Sequence, residues 1–211
     1  MKQAYHHNDL RNALIAEAIK VLGESGIAGL TLRELARRLG VTHTAPYAHF
    51  ADKQQLLTGV ADVGFGLLAG ELIDARNRHT DPADAFVALG VAYVRFAQKN
   101  PELYRLMFVA ADLPTGEECK MSEQGERAFR VVVDAISQLE MPLPVPLEEL
   151  AVAAWATVHG VAMLEIDSRM KTKTEKSSVE LVTLASKVFL RGMGEPHPPA
   201  LARYGERPVE P

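Results

Sequence analysis

Cysteine is almost missing from this sequence: Cys119 is the only one in 211 residues. A lone thiol excludes an internal disulfide framework and any multi-cysteine metal site, and it suits a reducing compartment. Long apolar runs are missing too. The longest uncharged apolar stretch, 150–164, spans 15 residues, short of the ~20 that a membrane-spanning helix needs. Residues 2–10 lack the apolar segment of a secretory signal. These absences lead us to expect a cytoplasmic protein with no membrane partner, no metal and no cofactor. An excess of positive charge is also lacking. The 23 Lys and Arg face 27 Asp and Glu, a net charge of -4, which argues against a histone-like binder of nucleic acid. The charge is nevertheless segregated: residues 1–60 carry seven Lys and Arg against five acids, and residues 61–211 carry 16 against 22. A small basic patch on an acidic body stays open.

Strand signals are nearly absent, and helix punctuation recurs throughout. Leu10, Leu14, Ala18, Val21 and Leu22 form one stripe of a first helix, which the glycines at 23, 26 and 29 are expected to end. Thr31 followed by Glu34 reads as a capping box, and Gly40 as the C-cap of that second helix. Thr42 is expected to cap a third, very short helix running to about His49. Asp52, with Gln55, caps a fourth that extends towards Arg78. Asp81-Pro82 and Asn100-Pro101 each place an N-cap before a proline in the first helical position. They open helices near 82–98 and 101–110. Helices near 121–140, 147–169 and 178–192 follow, the last opened by Ser177 and Glu180, with an extended proline linker at 141–146. The expected fold is all-α, with about nine helices. Its parts are an N-terminal unit over 1–52, a helical bundle over 53–194 and a proline-rich tail over 195–211.

The stretch 31–50, TLRELARRLGVTHTAPYAHF, joins a helix of about nine residues to a second short one through a glycine turn, which is helix-turn-helix geometry. Leu32, Leu35, Ala36 and Leu39 supply a face to pack on the first helix. Such a unit lays its second helix in the major groove of double-stranded DNA, with the residues at its start against base edges. Thr42, His43, Thr44 and Ala45 stand there and are the candidates for base readout. The amide end of that helix attracts phosphate. Thr31, Arg33, Tyr47, His49 and Lys53 are the candidates for positioning on the backbone. Two readings stand for His43, a purine contact or a solvated side chain, and two for Arg37 and Arg38, a DNA contact or a solvated face.

These residues resemble the N-terminal signature of the TetR family of transcriptional regulators. The match runs over residues 10–57: the first helix, LTLRELARRLGV, then THTAPYAHF and DKQQLL. The resemblance implies that Tyr47, His49 and Lys53 touch phosphates and that Phe50 packs inside. Pro46 departs from the pattern, standing where many members carry an aliphatic residue, and it removes one backbone donor early in the helix. Trp155, His159 and Gly160 resemble the Trp-x-x-x-His-Gly signature of one subclass of the family's C-terminal regions.

The acidic remainder is larger than a DNA-binding unit needs. Residues 150–164 are apolar nearly all round, so both sides need covering, and a second copy of the chain does this economically. Leu150, Ala154, Val158 and Val161 there, with Leu181, Leu184 and Val188 on the last helix, are the expected interface of a homodimer. A dimer also suits a palindromic operator. Phe86, Tyr93, Phe96, Tyr104, Met107, Phe108, Phe129, Trp155 and His159 are either core or the lining of an effector cavity. Arg95, Arg105 and Arg127 are either partners for an anionic effector or members of salt bridges. Gly59, Gly64, Gly66 and Gly70 in the fourth helix serve either as weak points for reorientation or as close-packing sites. The expected function is a dimeric, ligand-responsive DNA-binding repressor, and not an enzyme. Its rivals are a helical partner-binding protein and a small-molecule enzyme. No glycine-rich phosphate loop, nucleophile elbow or H-E-x-x-H motif favours the last.

Overall fold

Capping side chains and prolines place most of the helix starts. Thr31 Oγ1 accepts the Glu34 N–H at 3.1 Å, Asp52 accepts from Gln55 at 2.8 Å, and Asp81 accepts from Asp84 at 2.9 Å just ahead of Pro82. Ser177 and Glu180 exchange both bonds of a capping box, at 3.2 and 2.9 Å. The computed structural model describes residues 7–109, 121–141, 143, 145–170 and 173–194. These form α1 (His7–Gly29), α2 (Leu32–Leu39), a 3₁₀ turn (Ala45–Ala48), α3 (Lys53–Asn77), α4 (Pro82–Lys99), α5 (Pro101–Val109), α6 (Glu123–Ser137), α7 (Leu147–Ile166) and α8 (Ser178–Gly194). The described residues contain no strand, as an all-α fold requires. Cys119, the tail 195–211 and part of the proline linker lie outside the described residues.

Three local expectations need correction. The first helix runs through Gly23 and breaks at Gly26, whose φ of 65° and ψ of -172° only glycine adopts without strain. The third helix is a single 3₁₀ turn. Pro46 has no N–H for an α-helical ladder, so the chain tightens into i→i+3 bonds: Ala45 to Thr42 at 3.0 Å, Tyr47 to Thr44 at 3.1 Å, His49 to Pro46 at 3.0 Å. The Thr42 hydroxyl pairs with that of Thr44 instead of capping. So short a turn has no helix-end dipole to offer phosphate. Finally, the Asn100 side chain does not cap α5 but donates to the Phe96 carbonyl at 3.0 Å and closes α4. The Asn100 carbonyl accepts the Tyr104 N–H at 2.8 Å and so still opens α5.

The head consists of α1, α2 and the turn. Leu14, Ile15, Ala18, Val21 and Leu22 of α1 are buried against Leu32, Leu35, Leu30 and Phe50. The head joins the body where α1 packs on α3 and α5. α3 is the central helix of the body, with α4, α5 and α6 laid against it, and α7 and α8 pack on α4. A second core of Phe86, Ile136, Leu139, Leu150, Ala151, Ala154 and Met193 fills the end where α6, α7 and α8 meet. By length and composition alone α3 and α7 are each apolar enough to cross a bilayer. α3 owes its composition to its central place in the bundle.

Three of the four α3 glycines serve close packing. A Cβ on Gly64 would stand 2.8 Å from Met107 Cγ and 3.1 Å from Leu103 Cδ1 of α5. One on Gly59 would meet Phe50 at 3.3 Å, and one on Gly66 would meet Gln124 at 3.3 Å, whereas Gly70 has open space.

Candidate nucleic-acid interface and effector cavity

The head exposes a short polar ridge. Pro46 and Phe50 are buried and pin the turn, so Thr42, His43 and Thr44 stand exposed beside it, with Ala45 half-buried. Tyr47 is 49% exposed, and His49 is half-buried. Thr31 and Arg33 lie on the exposed start of α2, and Arg33 has no acidic partner among the described residues. Lys53 Nζ donates to the Ile27 carbonyl at 2.6 Å, just past the Gly26 break, which leaves its other ammonium protons free. The Arg11 guanidinium lies 5.3 Å over the Phe50 ring and steadies the base of the turn.

The other cations of the head are already engaged. Glu34 accepts from Arg37 at 2.6 and 2.8 Å and from Arg38 at 2.9 Å, and Arg38 also reaches Glu24 at 2.6 Å. Arg37 and then Arg38 hold the Glu34 carboxyl down to about 2. For Arg37 and Arg38 the solvated, ion-paired face is therefore the arrangement found. Among the described residues of the head, the cations without a carboxylate partner include Arg33 and Lys53, on either side of the turn in sequence.

In the body, six of the aromatic candidates converge. Tyr93 and Tyr104 are buried, and their hydroxyls lie 3.0 Å apart. The Tyr104 hydroxyl is 2.7 Å from His159 Nδ1, and the Trp155 indole N–H donates to the Tyr93 hydroxyl at 3.0 Å. Phe108 meets His159 edge-on at 4.4 Å, and Phe129 lies 5.9 Å from Trp155. The Tyr104 hydroxyl donates to that of Tyr93, whose oxygen also lies 3.3 Å from His159 Nδ1, so the imidazole closes the network on both tyrosines. Desolvation lowers the His159 pKa and raises that of Tyr93 to about 12. The cluster is therefore neutral near pH 7.

Two narrow cavities flank it. The first is lined by Phe65, Leu68, Phe108, Met121 and Phe129, the second by Phe86, Leu89, Gly90, Val158 and Ser186. Leu72, Tyr93, Val132 and Trp155 border both. Among the described residues, no charged side chain lines either one. Phe86, which stacks on Phe189 at 5.7 Å, belongs to the second cavity. Phe96 and Met107 do not join the others. Phe96 borders an open groove between α3 and α4, and Met107 fills the notch at Gly64. Arg105 is bound at 2.8 Å to both Glu102 and Asp167, so it ties α5 to the end of α7 and faces no cavity. Sequence reasoning missed Phe65, Leu68, Leu72, Val132 and Ser186, because a cavity-lining position repeats with the same helical period as a core position.

The residues expected at a dimer interface divide. Leu150 and Ala154 are buried in the chain's own second core, which removes them from any exposed interface. Val158 and Val161 are half-buried against the first core, and Leu181 is half-buried. Leu184 and Val188 are 50% and 60% exposed. Beside them α7 exposes Val152, Ala153, Ala156 and Leu164, one helical face round from the expected set.

Comparison with known proteins places both halves. The family model "Bacterial regulatory proteins, tetR family" matches residues 14–60, and the model "Tetracyclin repressor-like, C-terminal domain" matches residues 86–185. The HTH-type transcriptional regulator BetI of Rhizobium meliloti (strain 1021) is 31% identical over 117 residues, 56% of this chain. The match spans 55% of that regulator, about half its length. A solved protein of unknown function from Rhodococcus sp. RHA1 is 36% identical with a TM-score of 0.77, over 92% of this chain and 100% of that one. A TetR-family transcriptional regulator from Pectobacterium atrosepticum has the same fold at 22% identity, with a TM-score of 0.68 over 93% of this chain and 100% of its own. With its head and its body each matched by a model of the same family, the chain belongs to the TetR family of bacterial regulatory proteins.

Proposed function

We propose that the protein is a homodimeric repressor that binds a palindromic operator in the cytoplasm and is released by a small-molecule effector. The observation that carries this reading is the exposed ridge of Thr42, His43, Thr44 and Tyr47, pinned by Pro46 and Phe50 and flanked by Arg33 and Lys53. In this reading Thr42, His43, Thr44 and Ala45 meet base edges, while Thr31, Arg33, Tyr47, His49 and Lys53 meet phosphates. Residues 1–52 act as the reading unit and 53–194 as the sensing and dimerising unit. The exposed α7 and α8 face, with Val152, Leu164, Leu184 and Val188, supports pairing with a second copy. The neutral cluster of Tyr93, Tyr104, Trp155 and His159 supports an effector site and a place in the Trp-x-x-x-His-Gly subclass.

A route from cavity to head is also at hand. α5 carries Tyr104 and Phe108 on the cavity side and packs against both α1 and α3, with Met107 seated at Gly64. An effector that moves α5 biases the dimer towards half-site spacings that no longer match the operator. Fluorescence polarisation with the DNA upstream of the chain's own gene tests the proposal. Specific affinity that falls steeply with salt is expected. Binding that never exceeds the non-specific level refutes it.

A further inference from the structure

The two cavities share a wall made of Leu72, Tyr93, Val132 and Trp155. Each as it stands has room for about one or two water molecules, too little for an effector. The Trp155 indole stands between them, held by its single hydrogen bond to Tyr93. In the second cavity Ser186 is 5% exposed, yet its hydroxyl has no hydrogen-bond partner among the described residues. That hydroxyl opens onto the cavity, where a water or the polar head of a ligand can pair with it. It faces the space that α4 opens at Gly90, where an added Cβ would stand 2.9 Å from Ser186 Oγ. Among the described residues the first cavity offers no such hydroxyl: Phe65, Leu68, Phe108 and Phe129 line it, beside Tyr93 and Trp155.

Resting on the reading of the protein as effector-responsive, we propose that the effector is a neutral, elongated, mainly apolar molecule with one hydrogen-bonding head. It turns Trp155 aside, fuses the two cavities, pairs its head with the Ser186 hydroxyl and lays its tail among Phe65, Leu68 and Phe129. Three features converge on this class. No charged side chain among the described residues lines either cavity, so an ionised head would meet no counter-charge from them. The unpartnered hydroxyl sits at one end, and the aromatic slot at the other. Turning the indole also removes one of the two donors to the Tyr93 hydroxyl, the other being Tyr104, which contacts His159. The site and the cluster are thereby coupled through the Tyr93 oxygen.

The test uses the full chain with 1-decanol and decanoate, equal in length and differing in charge, at pH 8. Trp155 is the only tryptophan, so its emission reports this wall and nothing else. Decanol is expected to shift the emission and to bind about tenfold or more tightly than decanoate. Ser186→Ala is expected to weaken decanol about fivefold while leaving thermal stability unchanged or higher. Equal or tighter binding of decanoate overturns the proposal. So does decanol binding that calorimetry detects while the emission stays fixed, or an affinity unchanged by Ser186→Ala. Operator binding is followed in parallel by polarisation. If decanol binds as described and the operator complex survives, effector release fails and the site stands. If neither probe binds while the operator is still recognised, the effector class proposed here fails and the regulator stands.

Discussion

The head and the body assemble polar groups in opposite ways. The head's ridge is drawn from neighbours in the chain, Thr31 to Lys53, and is held by local bonds, two buried side chains and one long contact from Lys53 to Ile27. The body's cluster takes Tyr93 from α4, Tyr104 from α5 and Trp155 and His159 from α7, residues up to 66 apart in sequence. The ridge is solvated and cationic, whereas the cluster is dry and neutral. A surface that meets a polyanion can rely on charge in water. A site that must recognise an uncharged molecule relies on shape and on buried hydrogen bonds.

That contrast can be broken most severely in the body. Tyr104 is fully buried, so Tyr104→Ala should cost about 3–5 kcal/mol of stability by urea unfolding. Tyr104→Phe, which removes only the hydroxyl, should cost about 1 kcal/mol. Equal costs would mean that the hydroxyl cluster, not the ring, holds α5. Next, Leu184→Asp with Val188→Asp should yield monomers by sedimentation and lower affinity for the full palindrome by about 100-fold or more, leaving half-site affinity nearly intact. An unchanged dimer would move the interface away from α8.

In the head, Tyr47→Ala with Lys53→Ala should weaken binding roughly 10- to 100-fold for every DNA sequence alike, read by polarisation. A changed base preference would instead put these residues among the readers. The smallest effect is the dependence on pH. His159 has a folded pKa depressed by burial, so the unfolded chain takes up a proton that the folded chain refuses. Stability is complete above about 6.5 and declines as the pH falls from there towards the lowered folded value. His159→Gln should flatten that part of the stability curve, and the head, whose cations stay charged there, should show no matching change in its fold.

The difference between the regions also explains what was legible beforehand. Capping residues at 31, 52, 81 and 177, with Pro82 after the third and Pro101 at the start of α5, act within one turn, so the helix order could be read directly. The ridge was legible for the same reason. Its conformation was not: Pro46 exchanged an expected helix for a 3₁₀ turn, because a missing N–H matters more there than helical periodicity. In the body, the aromatic residues could be named, but periodicity does not separate a wall from a core. Phe96 and Met107 fell outside the cluster, while Leu72 and Ser186 line the cavities beside it. Leu150 and Ala154 looked free because α7 is apolar all round. The packing of α6 and α8 decides which of its faces is already covered.

The Glu34 fan has a consequence for how such a protein would find its site in a cell. Arginines already neutralised by carboxylates displace few counterions when they approach an arbitrary stretch of duplex, so they add little to indiscriminate affinity. On the proposed reading, the molecule would dwell briefly on the wrong DNA and leave more copies in free solution. The free pool, rather than the chromosome, would then set how fast a rise in effector is registered.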